Sequence, residues 1–429
     1  MNPAEVRQAL DRLSMFGIKL GLEQTAALFE RSGAPLDLNY LHIAGTNGKG
    51  SVGAMLEAAL RHCGFRTGFY SSPHLIDVRE RFRVNGKSVD EATLARAFSK
   101  VDAAAETMRK EGASPTFFEV TTAMAALIFQ EAETDFVIWE TGMGGRLDAT
   151  SVVNPLANII TNIATYHEHF LGGTLREIAG EKAGILRQGV PLFTGFLAPE
   201  AKDVIAARAA ELHCPMTGPD PEATGEKAIY RSDEQGLYQS FFYGGREIRL
   251  HLAGAMQRRN FRTAVPVLRY LAEKFDFSLE KALDGIGEAR WPGRCQQVNK
   301  RLTVDGGHNP DGAAALVQAM QEAHPGQNFA VVFAGFEDKD VAENLRLLAP
   351  LAGHWYFTPI ESDRPSHTPE NLAAMAKKAN STAPYSGAEN SKEATALALA
   401  GDLPVLAAGS LYLVGEVLRE YAPETVFDL

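Results

Sequence analysis

The feature of this sequence that most limits its fold is a regular alternation of short apolar runs with helical patterns between residues 39 and 215. Parallel strands need crossover connections long enough to hold a helix, so this alternation is typical of a parallel sheet with helices on both faces. The chain is therefore predicted to be an α/β protein. The predicted strands are Tyr40–Ala44, Thr67–Tyr70, Asp135–Glu140, Ala157–Thr161 and Val190–Phe193.

The second half of the chain predicts a further domain. Residues 226–252 interrupt the alternation with two apolar segments, 238–243 and 247–252, around Gly244-Gly245, a pattern typical of a β-hairpin. A new alternating series follows Trp291-Pro292-Gly293, and 429 residues are too many for one ordinary core. We expect domains at residues 1–295 and 296–429. The strands predicted for the second are Leu302–Val304, Phe329–Ala334, Trp355–Thr358 and Val405–Ala408.

Composition excludes several classes of function. A formal net charge of -11, without a run of Lys or Arg, would repel a polyphosphate backbone, so we expect no nucleic-acid partner. No stretch approaches the roughly 18 apolar residues of a membrane span. The distant Cys63, Cys214 and Cys295 are predicted to be reduced thiols, and residues 1–7 lack the features of a secretion signal. A cytoplasmic protein that binds no membrane is expected.

A glycine-rich loop after the first predicted strand suggests phosphate binding. The strand Leu41–Ala44 leads into Gly45-Thr46-Asn47-Gly48-Lys49-Gly50-Ser51, and a helical pattern, Val52–His62, follows. Free backbone N–H groups, a helix N-terminus and an ammonium are what a nucleotide phosphate requires. The spacing differs from the common GxxxxGK[ST] motif, and the alternative is a glycine-rich turn that caps a helix. The predicted phosphate-binding residues are Thr46, Asn47, Gly48, Lys49, Gly50 and Ser51.

This loop resembles that of the Mur-ligase superfamily, and the glycine after the lysine resembles its dihydrofolate synthase/folylpolyglutamate synthase branch. The resemblance implies an ATP-dependent ligase that joins L-glutamate to dihydropteroate, and to folates, through an acyl phosphate. It also implies a P-loop-like first domain and a smaller Rossmann-like second domain that binds glutamate. We expect a monomer. The other matching segments, in chain order, are 71–75, 140–150, 181–185, 305–312 and 409–413.

A magnesium site is expected where the strand Asp135–Glu140 ends. Glu140 should emerge at the carboxyl edge of the sheet, and the glycines after it favour a ligand site over the alternative, a solvated carboxylate. The family resemblance implies that Glu140, Ser72 and His167 bind Mg²⁺. The family usually has Asp before this histidine, whereas this chain has Tyr166, and the nearby His169 leaves the assignment open.

Lys182 lies in the helical pattern 174–186, where the residues alone indicate a solvated lysine. The resemblance instead implies a carbamylated Lys182 that supports a second metal ion. That chemistry requires a lysine able to lose its proton, and therefore a partly desolvated one. Lys49 and Lys182 are predicted to be catalytic, together with His308, which could orient phosphate or Asp305 or could be a structural turn residue.

The resemblance adds further contacts with both substrates. Asn260, Arg294 and Asp305 match residues that contact ATP, although Asn260 alone could be an ordinary polar helix residue. A flat pterin is well held by aromatic stacking beside a few polar groups. For Phe118 the alternative is a core aromatic, and for Leu20–Leu22 it is helix-end packing. The residues predicted to bind the pterin substrate are Leu20, Leu22, Thr116, Phe118, Asp148 and Ala149.

Three alternative functions stay open. A folylpolyglutamate synthase alone would lack the dihydropteroate reaction. Another Mur-type ligase, acting on a cell-wall nucleotide, is disfavoured because those enzymes usually carry an extra domain before the phosphate loop, which starts here at Gly45. A catalytically inactive nucleotide-binding regulatory module is disfavoured because Lys49, Ser72, Glu140, His167 and Lys182 are all present.

Overall fold

The computed structural model describes residues 3–14, 21–164, 172–222 and 228–428. The chain forms two compact units that are not continuous in sequence. The first consists of Met1–Pro221, Arg259–Ile286 and Asp428, and the second of Glu222–Arg258, Gly287–Phe427 and Leu429. Residues 222–258 thus pack with those after Gly287. The predicted boundary at residue 295 cuts the chain once and leaves residues 222–258 in the first domain.

The first unit is built on an eight-stranded sheet in the order β4-β3-β2-β5-β1-β6-β7-β8. All neighbours from β2 to β8 pair in parallel, which confirms the predicted parallel sheet, but β3 and β4 extend one edge in antiparallel fashion. The strands are β1 (Tyr40–Ala44), β2 (Thr67–Tyr70), β3 (Phe82–Val84), β4 (Lys87–Ser88), β5 (Phe136–Glu140), β6 (Pro155–Ile160), β7 (Leu192–Thr194) and β8 (Met216–Thr217).

Helices pack against this sheet and bury two apolar clusters. One contains Tyr70, Phe129 and Trp139, and the other contains Ile160, Ile178 and Leu192. α3 is buried continuously from Ser51 to Leu60, as expected for a helix inside the unit. The helices are α1 (Pro3–Ser14), α2 (Glu23–Ser32), α3 (Lys49–His62), α4 (Glu91–Lys110), α5 (Phe117–Glu131), α6 (Leu175–Ala183), α7 (Pro199–Glu211), α8 (Ala255–Phe275) and α9 (Leu279–Ile286), with 3₁₀ turns at Val78–Arg81 and Ala149–Val152.

The second unit contains two sheets. The predicted hairpin is confirmed as β10 (Gly236–Tyr243) with β11 (Arg246–Leu250), and β9 (Ile229–Asp233) adds a third antiparallel strand. A six-stranded sheet follows in the order β12-β13-β17-β14-β15-β16, parallel except for the β12–β13 pair. Its strands are β12 (Gln296–Asn299), β13 (Leu302–Asp305), β14 (Phe329–Phe333), β15 (Ala352–Phe357), β16 (Tyr385–Gly387) and β17 (Val405–Ala408).

The helices of the second unit cover a core that includes Leu316, Phe333, Trp355 and Leu406. They are α10 (Pro310–Ala323), α11 (Val341–Leu348), α12 (Pro369–Lys378), α13 (Ser391–Ala400) and α14 (Leu411–Tyr421), with 3₁₀ turns at Ala349–Leu351 and Pro423–Val426. Both units are therefore α/β, as predicted. Within the described ranges of the whole chain, no helix has the length and apolar character needed to cross a bilayer.

Candidate active site

The ends of four parallel strands meet at one edge of the first sheet. Ile43 of β1 pairs with Glu140 of β5, and Ala44 pairs with Ile160 of β6. Tyr70 of β2 pairs with Trp139 of β5. Because these strands run in the same direction, the segments that follow them emerge together at the carboxyl edge, where ligands of open α/β sheets bind.

The phosphate loop connects β1 to α3 at this edge. α3 begins at Lys49, and Gly48 precedes it with φ 85°, in the left-handed region that glycine tolerates. A Cβ atom on Gly48 would lie 2.6 Å from Oδ1 of Asn260, so the loop passes directly beside Asn260. The structure therefore brings this predicted ATP contact to the phosphate loop. The first-turn amides of α3 provide an anion-binding helix N-terminus.

Lys49, Glu140 and Ser72 lie together beside this loop. The Lys49 ammonium donates to the Gly45 carbonyl at 3.2 Å and lies 3.8 Å from Oε1 of Glu140. The Glu140 carboxylate is buried, and its Oε2 accepts a hydrogen bond from the Ser72 amide at 3.3 Å. Three residues predicted from separate segments are thus neighbours in the structure.

The donor set at Glu140 suits magnesium. Mg²⁺ binds through one or two carboxylates and fills its other positions with water and substrate phosphate. Glu140 supplies such a carboxylate beside Lys49, and Ser72, whose amide bonds to it, carries a hydroxyl oxygen of the same hard kind. In the part of the chain that the structure describes, no three His, Cys, Asp or Glu side chains form a metal-binding group. His167 and His169 lie outside the described residues.

Lys182 is buried near the end of α6, contrary to the solvated lysine that its helical pattern alone indicates. Burial, together with repulsion from Lys49, lowers the pKa of Lys182 to about 7, while the Asp148 carboxylate acts in the opposite direction. A lysine with this pKa is often neutral near pH 7. It can therefore act as a nucleophile towards carbon dioxide.

Glycines allow the loop after Glu140 to approach the helix that carries Lys182. A Cβ atom on Gly145 would lie 2.8 Å from the Glu181 carbonyl oxygen, and one on Gly184 would lie 2.3 Å from Cα of Arg146. The Arg146 amide also donates to the Glu181 carbonyl at 2.8 Å. The Glu140 loop and the end of α6 are therefore in direct backbone contact.

A buried hydrogen-bonded chain fixes Asp148. Its Oδ2 accepts from the Met143 amide at 2.8 Å, and its Oδ1 accepts from the Thr150 amide at 3.0 Å and the Thr150 hydroxyl at 2.5 Å. Nε2 of His42 lies 2.9 Å from the same hydroxyl. Burial raises the pKa of Asp148 and, with Arg187, lowers the pKa of His42 to about 3. His42 is therefore neutral and donates to Thr150.

Sequence reasoning did not identify His42 or Thr150 as site residues. The available signal was weak, namely one imidazole inside the apolar strand 40–44. A buried histidine of this kind needs a polar partner, but its partner lies more than a hundred residues away in the sequence. Spacing alone could not locate that partner.

Phe118 lies against the same loop. A Cβ atom on Gly142 would be 2.5 Å from Cζ of Phe118, and the centroid of the Phe118 ring is 6.0 Å from that of Tyr70. Thr116 caps α5, because its hydroxyl accepts from the Glu119 amide at 3.3 Å and Glu119 accepts from the Thr116 amide at 2.7 Å. Phe118 is thus held beside the backbone that follows Glu140.

The other predicted pterin contacts have mixed outcomes. Ala149 is buried at the start of the 3₁₀ turn Ala149–Val152, directly after Asp148. Leu22 precedes α2, and its carbonyl accepts from the Ala26 amide at 2.8 Å, which fits the alternative of helix-end packing. Leu20 lies outside the described residues. The pterin-binding role of all these residues stays a prediction.

Arg294, Asp305 and His308 belong to the second unit. Asp305 ends β13, and its carboxylate accepts from the Cys295 amide at 2.9 Å and from the Gly307 amide at 2.8 Å. Nδ1 of His308 lies 3.1 Å from the Gly306 carbonyl oxygen. The turn that carries Arg294 is therefore tied to the loop that carries His308, within this unit.

Comparison with known proteins identifies the two parts of the chain. The Mur ligase middle domain matches residues 43–268, and the Mur ligase, glutamate ligase domain matches residues 293–411. The dihydrofolate synthase/folylpolyglutamate synthase of Bacillus subtilis is 34% identical over 367 residues, which cover 82% of this chain and 84% of that protein. The protein of the same description from Escherichia coli is 33% identical over 414 residues, covering 96% and 93%.

Solved structures agree with these matches. Folylpolyglutamate synthase of Mycobacterium tuberculosis, complexed with ADP and AMPPCP, has a TM-score of 0.86 at 27% identity and covers 98% of both chains. Escherichia coli FolC in complex with DHPP and ADP has a TM-score of 0.82 at 30% identity and covers 99% of both chains. The fold and the two matched domains define an ATP-dependent ligase.

The chain belongs to the Mur ligase family, in the branch of the dihydrofolate synthase/folylpolyglutamate synthases.

Proposed function

We propose that this ligase forms dihydrofolate from dihydropteroate and L-glutamate, and that it also adds glutamate to folates. The observation that carries the proposal is the grouping of Lys49, Glu140 and Ser72 at one sheet edge, beside the loop that contacts Phe118. The first three residues suit a phosphate with its metal ion. Phe118 offers an aromatic face for a flat substrate next to them.

The reaction must convert a carboxylate into a form that an amine can attack. ATP provides this by transferring its γ-phosphoryl group to the carboxylate, so that an acyl phosphate forms and ADP leaves. The α-amine of glutamate then attacks the acyl carbon, and the tetrahedral intermediate expels phosphate. Mg²⁺, when bound, would neutralise phosphate charge at Glu140 and Ser72.

The chain's own groups contribute positioning and charge. The Lys49 ammonium, next to the N-terminus of α3, would stabilise the negative charge that spreads over the transferring phosphoryl group. Burial of the Glu140 carboxylate keeps this electrostatic interaction strong, since little water screens it. The glutamate-binding role of the second unit, and the roles of Arg294, Asp305 and His308, stay predictions from the family resemblance.

We also propose that Lys182 is carbamylated in the working enzyme. Its lowered pKa makes a neutral amine available, and addition of this amine to carbon dioxide gives a carbamate with loss of one proton. The product is an anion in place of a cation. It would support a metal ion close to Lys49 and would replace the repulsion between two ammonium groups by attraction.

The decisive experiment supplies purified protein with ATP, Mg²⁺, L-glutamate and one acceptor at a time. Dihydropteroate should support phosphate release and yield dihydrofolate, identified by chromatography, and tetrahydrofolate should yield a longer glutamyl product. If only a pre-formed folate supports turnover, the protein is a folylpolyglutamate synthase alone. If only a cell-wall nucleotide precursor does, the folate assignment is wrong.

A cytoplasmic location and a monomeric state stay predictions from the sequence. Native mass spectrometry of the purified protein would test the second. Neither property enters the chemistry proposed above.

A further inference from the structure

Two residues that follow β6, Thr161 and Asn162, form hydrogen bonds with the phosphate loop but take no part in the proposed reaction. The Asn162 side-chain oxygen accepts from the Asn47 amide at 2.7 Å. The Thr161 hydroxyl donates to the Asn47 carbonyl at 2.6 Å. Both main-chain polar groups of Asn47 are thus bonded to this neighbouring segment.

Thr46 is bonded to the same segment. Its amide donates to the Asn162 carbonyl at 3.0 Å. Its hydroxyl donates to the Ala164 carbonyl and accepts from the Ala164 amide, both at 3.1 Å. Residues 46–47 and 161–164 therefore form one hydrogen-bonded structure at the carboxyl edge of the sheet.

Thr161 is enclosed at this point. Its side chain is buried, and a Cβ atom on Gly45 would lie 1.9 Å from its hydroxyl oxygen. On the other side, a Cβ atom on Gly195 would lie 1.9 Å from its carbonyl oxygen. Real Cβ atoms do not approach other atoms so closely. The hydroxyl can hold this position only because residue 45 is glycine, and the carbonyl only because residue 195 is glycine.

These contacts divide the phosphate loop into two parts. The amides of Thr46 and Asn47 are directed into the 161–164 segment and are used there. The amides that begin α3 have no partner within the helix, as in any helix, and can face an anion. A phosphate would therefore meet the loop at residues 48–51.

We infer that Thr161 and Asn162 are positioning residues that hold the phosphate loop in its nucleotide-binding shape. Thr46 and Asn47 then contribute to ATP binding indirectly, through the shape of the loop. The inference rests on the proposed ATP-dependent reaction and adds to it the residues that shape the nucleotide site. It does not depend on which folate is the substrate.

The test compares Thr161→Val with Thr161→Ser. Valine has nearly the shape of threonine but cannot donate to the Asn47 carbonyl, whereas serine keeps the donor. Thr161→Val should weaken ATP binding and raise KM for ATP about tenfold, the change that loss of one buried hydrogen bond can produce. The KM for dihydropteroate should stay within about twofold, and Thr161→Ser should stay close to wild type.

The matched control is Thr194→Val. Thr194 is also buried and lies on β7, where it pairs with Ile160, the residue before Thr161. This control makes the same substitution at a buried threonine close to Thr161 and should keep the ATP affinity of wild type. Binding is measured by isothermal titration calorimetry with ATP and Mg²⁺, and folding by the thermal unfolding midpoint.

An ATP affinity in Thr161→Val equal to that of wild type would overturn the inference. So would an equal loss of affinity in Thr194→Val, since the effect would then reflect general destabilisation. Asn162→Leu gives a second variant if Thr161→Val does not fold, and it should weaken ATP binding in the same way. Failure of the wild-type protein to bind ATP would instead contradict the proposed function itself.

Discussion

The ammonium of Lys49, the first residue of α3, lies 3.8 Å from a carboxylate oxygen of Glu140, the last residue of β5. The opposite carboxylate oxygen accepts from the Ser72 amide, which follows β2. Opposite charges held this close, with Glu140 buried, form a preorganised site. A metal ion and a phosphate would meet these charged groups already in position.

Removing either charge should abolish ligation. We expect Lys49→Ala and Glu140→Gln each to lower turnover at least about 10²-fold, because each removes a key electrostatic group from a preorganised site. Phosphate release measures turnover, and circular dichroism verifies the fold. Lys202→Ala, at an exposed lysine on α7, is the control and should be fully active. Near-normal turnover in folded Glu140→Gln would contradict the metal assignment.

The proposed carbamate on Lys182 predicts chemical rescue. Lys182→Ala should be inactive, because it lacks the anion that the modified lysine would supply, and acetate or formate should restore part of the activity. Adding the same salts to wild type and to Glu140→Gln tests whether the gain in activity is specific to the Lys182→Ala protein. Full activity of Lys182→Ala without any added anion would refute the carbamate.

A methyl group on Gly142 should disturb the proposed pterin site. Its Cβ atom would lie 2.5 Å from the Phe118 ring, so the ring must move. We expect Gly142→Ala to raise KM for dihydropteroate about tenfold, the loss of one well-placed aromatic contact, with a smaller effect on KM for ATP. Gly218→Ala is the control, since a Cβ atom there would meet nothing within 4 Å. An unchanged KM for dihydropteroate would argue against Phe118 as a substrate contact.

Buried His42 should make the protein less stable in acid. Its pKa is about 3 in the folded chain, against 6.5 for the ordinary imidazole, so the unfolded chain binds more protons between these values. Stability therefore falls as pH decreases below about 6.5, by up to about 1.4 kcal/mol per pH unit from one such group. His42→Gln keeps a donor for Thr150 and should remove this part of the dependence.

The measurement is the free energy of unfolding in urea at several values between pH 7 and pH 5. His74 is partly buried, and desolvation together with Arg81 lowers its pKa to about 3, so the His42→Gln protein should keep a reduced slope. An identical slope in the two proteins would show that His42 does not titrate on unfolding.

The main features of the fold follow from local sequence, and the structure differs from the prediction where distant segments pair. β1, β2 and β17 have their predicted bounds, because each is an apolar run bounded by turn residues. β3 and β4 are only three and two residues long and give no periodic signal. β9 is mostly exposed and is stabilised by its pairing with β10, which no local pattern reveals.

The candidate site shows the same division. The loop around Lys49 and the strand end at Glu140 are visible as a glycine-rich turn and as the polar end of an apolar run. The burial of Lys182 is not visible, because its neighbours in sequence include charged residues such as Glu181. That burial depends on Gly145 and Gly184, whose close contacts join segments far apart in the chain.

This interlocking of Gly145 and Gly184 also limits how the site could be transplanted. A design that copied only Glu140 and Lys182 into another scaffold would omit Gly145 and Gly184, whose lack of side chains lets the two segments touch. A transplanted site would therefore need residues 140–151 and residues 178–187 together, in their present relative arrangement. Random libraries at either glycine should therefore return almost only glycine, unless the opposite backbone is redesigned at the same time.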